Sequence, residues 1–184
     1  MINNKFKAIF VHVPKTGGTA IKKYLNGFVI SGDHNKWEKE KKIAGERWDT
    51  FFKFAFVRNP WDRVYSIYSY YRMGKHITGV ESNRFPTEFK PFVLNLEENL
   101  TGLNMSYNQT EFVGDELDFI GRFEKLNDDY IYIAKKINVR VEKLGVVRKS
   151  KRNQDYHTIY DDEMVEIVRN YFQKDIERFD YSYE

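Results

Sequence analysis

The sequence predicts an α/β fold: a three-layer αβα sandwich with a mostly parallel sheet and a P-loop-like turn after its first strand. Three observations predict it. Short, almost wholly apolar runs stand at Lys7–Val13, Phe51–Val57 and Leu117–Phe123. Amphipathic stretches alternate with them. A glycine-rich turn links the first run to the first helix. Apolar runs of this length read as strands buried on both faces. Strands that alternate with helices pair in parallel through right-handed crossovers.

Each element has its own signal. Lys7-Ala-Ile-Phe-Val-His-Val13 is bounded by Pro14 and the glycines. Ala20, Ile21, Tyr24, Leu25 and Phe28 then fall on one helical face. Residues 31–49 are polar and charged, with a helix over Trp37–Ala44. Phe51–Val57 is apolar at nearly every position and is placed at the centre of the sheet. Asn59 is a good N-cap, Pro60 suits the first helical position and Asp62 favours the positive end of the dipole, so a helix starts there and continues through Trp61, Val64, Tyr65 and Tyr68 to about Arg72. Residues 73–110 are weakly patterned, with a helix around Glu88–Leu96, and read as an insertion. Leu117–Phe123 is the third strand, Lys125–Ile137 a helix and Leu144–Val147 a short strand-like piece. A last helix starts at Asp161-Asp-Glu and carries Val165, Val168, Phe172, Ile176 and Phe179 close to helical spacing.

The bulk numbers narrow the function. A length of 184 residues suits a single domain spanning 1–184, and a hydrophobic fraction of 41% fills a core. A net charge of +3 is too small for a nucleic-acid-binding domain but fits a local site for a polyanionic small molecule. With no cysteine there is no disulfide, thiolate metal site or cysteine nucleophile, and four scattered histidines make no zinc site. The opening residues lead straight into a strand without a signal-peptide core, and no apolar stretch approaches the ~20 residues of a membrane span, so the expected location is cytoplasmic.

Two constellations carry chemistry. The first is Pro14-Lys-Thr-Gly-Gly-Thr19. A loop between a strand and a helix start offers backbone N–H groups to an anion. Glycines allow close approach, Lys15 adds a full charge and Thr16 and Thr19 add hydroxyls. The lysine precedes the glycines, which is not the nucleotide triphosphatase order G-x-x-x-x-G-K-[ST]. The plainer alternative is a glycine turn with a solvated lysine, which the strand before it and the helix after it disfavour. The second is Phe56-Val-Arg-Asn-Pro-Trp-Asp-Arg-Val-Tyr-Ser66. Arg58 stands at the carboxyl end of a strand, where open parallel sheets bind ligands, and a guanidinium there grips a phosphate with two parallel hydrogen bonds. Ser66 lies two turns into the next helix, on the polar face with Asn59 and Asp62. The plainer alternative pairs Arg58 with Asp62 and leaves Ser66 exposed.

Together the two constellations resemble the sulfotransferases that use 3′-phosphoadenosine 5′-phosphosulfate (PAPS), in the branch of membrane carbohydrate sulfotransferases and their bacterial relatives. The matching pieces are Phe10–Ile21, Phe52–Ser66, Ile120-Gly-Arg-Phe-Glu-Lys-Leu126 and the tail Val165–Glu184. The resemblance is weakest over 73–110. It implies that Lys15, Thr16, Gly17, Gly18, Thr19 and Ala20 hold the 5′-phosphosulfate, with Lys15 near the leaving oxygen. It also implies that Arg58 and Ser66 hold the 3′-phosphate, that Arg148-Lys-Ser-Lys-Arg152 closes over the nucleotide, and that the acceptor is a hydroxyl, of a sugar or glycan. PAPS is then a co-substrate, and no metal is required.

An alcohol attacks well only if a base removes its proton. His34, in Ser31-Gly-Asp-His-Asn35, is the first choice, since the resembling branch often carries a histidine in this stretch; Asp33 is a candidate to orient it. An ordinary loop histidine is the alternative. His12 reads as a packed or loop-bracing residue. His76 and His157 have no supporting context. Glu38 and Glu40 are rival bases on a charged, solvated helix, and Arg63 and Arg122 read as structural ion-pair residues. The rival functions are a nucleotide or small-molecule kinase using the same loop, which wants a strand-end acid for magnesium, and a non-catalytic nucleotide-binding module.

Overall fold

The computed structural model describes residues 1–25, 34–72, 85–140 and 155–183. The strand-like piece expected at Leu144–Val147, the basic segment Arg148–Arg152, Asp33 and His76 lie outside them. In chain order the elements are β1 (Ile2–Asn3), β2 (Ala8–Val11), α1 (Gly18–Tyr24), α2 (Trp37–Ala44), α3 (Arg47–Thr50), β3 (Phe52–Val57) and α4 (Pro60–Arg72). They continue with α5 (Phe89–Leu94), α6 (Leu96–Leu100), β4 (Phe119–Arg122), α7 (Leu126–Lys136), α8 (Asp162–Tyr171) and α9 (Gln173–Phe179). The chain forms two compact units, Met1–Arg58 with Gln109–Arg148, and Asn59–Asn108 with Lys149–Glu184.

The first unit holds the sheet, in the order β1-β2-β3-β4. β2, β3 and β4 pair in parallel, and only β1 is antiparallel. This is the α/β class with a mostly parallel sheet that the sequence predicts. β3 lies between β2 and β4, and five of its six residues are buried, as its unbroken apolar run requires. Side chains alternate along a strand. One row of the sheet, Ala8, Phe10, Phe54 and Phe56, packs against Ile21 and Leu25 of the α1 segment and Tyr130, Ile133, Ala134 and Ile137 of the α7 segment. The opposite row, Ile9, Val11, Ala55 and Val57, is buried too, so the sheet is an inner layer. Phe10 stacks on Phe54 with ring centroids 5.0 Å apart. Each such fully buried ring stabilises the fold by roughly 1.5–3 kcal/mol.

The edge strand β1 was invisible to periodicity because two residues carry no period. It is fixed by long-range contacts: Phe10 N donates to Met1 O at 2.9 Å, and the amino group of Met1 pairs with Glu40 at 2.7 Å. Glu40 is 1% exposed and also accepts from Asn35 Nδ2. The expectation of a solvated α2 face therefore holds for exposed Glu38 and fails for Glu40.

The second unit is helical. Asn59 caps α4 as expected, its Oδ1 accepting from Trp61 N at 3.1 Å, while its Nδ2 donates to Ser182 O. The core joins Trp61, Val64 and Ile67 of α4 to Phe92, Val93, Leu96 and Leu100 of α5 and α6, and to Met164, Val165 and Val168 of α8. The segment read as a weakly patterned insertion thus supplies a core layer from residue 85 onward; its two helices are too short to display a period. The single last helix expected from Asp161 is two, α8 and α9, with Phe172 (φ −111°, ψ 28°) breaking the turn between them.

Arg63 is wholly buried in this core. It donates to the carbonyls of Tyr107 and Met105 and lies over the Phe172 ring at 5.3 Å. Burial pulls its pKa down to about 10, against the opposing charge of buried Asp175, so it stays a cation at neutral pH. Arg63→Ala leaves Asp175 buried without that charge, and is expected to cost about 3–5 kcal/mol in urea unfolding.

Candidate functional site

The loop after β2 is built from two left-handed residues and two crowded glycines. Lys15 (φ 70°) and Gly17 (φ 86°) both have positive φ. A glycine reaches that region without strain, while a lysine there costs about 1–2 kcal/mol. Thr16 is fully buried and its hydroxyl donates to Val13 O at 2.9 Å, so that hydroxyl braces the turn. Lys15, Gly17, Thr19 and Ala20 are half-buried at the mouth of the loop. The Ala20 N–H donates to Gly17 O at 2.9 Å.

Gly18 has a reason that the sequence did not reveal. A Cβ built on it would lie 1.9 Å from Nε2 of His12. The neighbouring imidazole by itself requires a glycine here. Gly18→Ala is expected to displace that ring and cost about 1–3 kcal/mol, read as a lowered urea midpoint.

His12 is 6% exposed and continues the Ala8–Phe10 row, its ring centroid 5.3 Å from that of Phe10. His34 meets it from the other side, ring centroids 4.2 Å apart, and its Nδ1 lies 3.1 Å from the His12 carbonyl oxygen. A carbonyl only accepts, so Nδ1 carries the proton in that bond. The neutral ring then has its basic lone pair on Nε2. His34 is half-buried and held at φ 65°.

Arg58 directly follows β3 and lies against the same loop. It is 2% exposed, its Nη1 donates to Lys15 O at 3.1 Å, and its guanidinium lies 3.8 Å from the Phe123 ring centroid. Its backbone N–H donates to Gln109 Oε1, and Gln109 Nε2 donates back to its carbonyl, each at 2.8 Å. Gln109 and Phe123 were not singled out from sequence. Gln109 sits in weakly patterned chain and gave no signal; Phe123 lies inside Ile120–Leu126, one of the pieces that carry the resemblance. Phe123 and Leu126 also lie beneath Gly17.

The first unit therefore brings Lys15, Thr16, Gly17, Gly18, Thr19, Ala20, His34 and Arg58 together around one loop. Ser66 belongs to α4 of the second unit, where it is buried at 7% exposure and not on a solvated face. His157 is exposed and pairs with Asp155 at 2.7 Å. Arg122 ends β4, its backbone N–H donating to Asp129 Oδ2 at 2.6 Å. Among the described residues no group of three or more histidines, aspartates and glutamates is placed to hold a metal, and no helix is long and apolar enough to cross a membrane.

The chain is 28% identical over 132 residues to an uncharacterised protein of Archaeoglobus fulgidus, a match covering 67% of this chain and 97% of that protein. The profile of the sulfotransferase family matches residues 1–182, which takes in the loop, His12, His34, Arg58 and all but the last two residues of the second unit. This chain belongs to the sulfotransferase family.

Proposed function

We propose that the protein transfers the sulfuryl group of PAPS to a hydroxyl of a carbohydrate acceptor, with residues 1–184 acting as one sulfotransferase domain. Family membership supports sulfuryl transfer in general. The choice of donor rests on the loop and on Arg58, and the choice of acceptor on the resemblance to carbohydrate sulfotransferases. The observation that carries the reading is the seating of His34: its Nδ1–H is taken by the carbonyl of His12, two residues before the anion loop, so the basic nitrogen is Nε2.

In this reaction a bond forms between the acceptor oxygen and sulfur as the bond from sulfur to the bridging phosphate oxygen breaks. His34 Nε2 takes the acceptor proton. The electron pair of the broken bond stays on the leaving phosphate, where Lys15 and the backbone N–H groups of the loop stabilise it. Arg58 sets the loop by holding the Lys15 carbonyl, and is assigned to the 3′-phosphate of the donor. The place of Ser66 in that assignment rests on the resemblance alone. The scheme uses no metal.

Thermal stabilisation tests the donor. Adenosine 3′,5′-bisphosphate without magnesium is expected to raise the melting temperature, by about 2.7 kcal/mol of linkage at a hundredfold excess over Kd. A preference for Mg-ATP over the bisphosphate would make the protein a kinase instead.

A further inference from the structure

We infer that His12 is a positioning residue, whose imidazole wedges between the anion loop and His34 and fixes the direction of the His34 ring. The inference rests on the reading of His34 as the base, and it assigns to His12 more than packing.

The argument begins in the core. Phe54 and Phe10 are fully buried and stacked, and the His12 ring continues this row at the carboxyl end of β2. His34 is the next ring, at 4.2 Å. The centroid spacings run 5.0, 5.3 and 4.2 Å from Phe54 to His34. The first three rings are all nearly inaccessible, while His34 is half-buried, so the reacting end of the row is backed by groups that have little room to move.

His34 needs such backing. It sits at φ 65°, an unfavourable conformation for a non-glycine residue, and its Nδ1 bond to a carbonyl fixes a distance but not the tilt of the ring about that bond. The His12 ring, packed at 4.2 Å and tilted by 41°, restricts that tilt. The other edge of the His12 ring is equally constrained, because it fills the space where a side chain on Gly18 would stand. One side chain thus touches both the residue proposed to take the proton and the loop proposed to hold the leaving group. A tilt of His12 would move Nε2 of His34 relative to the loop. A misplacement of about 1 Å costs on the order of 10²-fold in rate when geometry limits the step.

The test is a double-mutant cycle on His12→Ala and His34→Asn, read as kcat for sulfuryl transfer from PAPS together with adenosine 3′,5′-bisphosphate affinity. A positioning role predicts that His12→Ala lowers kcat about 10- to 100-fold while bisphosphate affinity changes less than about 3-fold. It also predicts no further loss when His12→Ala is added to His34→Asn. Long-range proton–nitrogen NMR of the His34 ring should show the Nδ1–H tautomer in the parent and a mixture in His12→Ala. If His12→Ala fails to fold, His12→Gln fills the space without a ring plane and is expected to show the same split. Parallel losses of kcat and affinity, or losses that add to those of His34→Asn, would mean a merely structural residue and overturn the inference. An unchanged kcat in His12→Ala beside a depressed one in His34→Asn overturns it while leaving the base reading intact. An unchanged kcat in His34→Asn overturns both.

Discussion

Lys15→Gly is expected to lower kcat about 10²–10³-fold while leaving unfolding stability within about 1 kcal/mol of the parent. The two halves have different causes. The charge of Lys15 is assigned to the phosphate that leaves, and removing one preorganised donor from a developing anion costs that much in rate. The backbone of Lys15 stands at φ 70°, where glycine is unstrained, so the strain relieved offsets the greater entropy that glycine loses on folding. Lys15→Ala loses the charge but keeps the strain, and should be the less stable variant of the two. Steady-state kinetics and urea unfolding of both check this. A loss of activity that tracked a loss of stability would move Lys15 from chemistry to folding.

His34→Asn is expected to lower kcat about 10²–10⁴-fold with the fold preserved. Asparagine tolerates positive φ, and its amide N–H₂ can replace Nδ1–H as donor to the His12 carbonyl. It offers no nitrogen of useful basicity. The variant therefore separates the bracing hydrogen bond from the proton transfer. Bisphosphate affinity should stay near that of the parent, because the loop is left whole. Equal kcat in the variant would return His34 to an ordinary loop residue.

What could be read beforehand was whatever leaves a local pattern. β3 announced itself as an apolar run, α4 by Asn59-Pro60, and α2 appears over the same residues, Trp37–Ala44, that its sequence predicted. The loop was legible as strand, glycines and helix. The parts that escaped depend on partners distant in sequence. Gly18 reads as ligand approach until the His12 ring is placed beside it. Glu40 reads as solvated until it meets the amino group of Met1 and Asn35. Gln109 reads as loop until it is found bonded to both backbone groups of Arg58, 51 positions earlier. Ser66 reads as a polar-face residue until α4 is seen to bury it alongside Arg63. In each case a polar or small residue was set by a tertiary contact, to which helical or strand period is blind.

The central claim is that Lys15–Ala20 holds the phosphosulfate end of a 3′-phosphorylated nucleotide. The most direct measurement is a crystal structure with adenosine 3′,5′-bisphosphate. The claim predicts the 5′-phosphate in the loop, within hydrogen-bonding reach of Lys15 and its backbone N–H groups, and His34 Nε2 facing the space beyond it. A nucleotide bound with its 5′-phosphate away from Lys15, or His34 turned from that space, would contradict it.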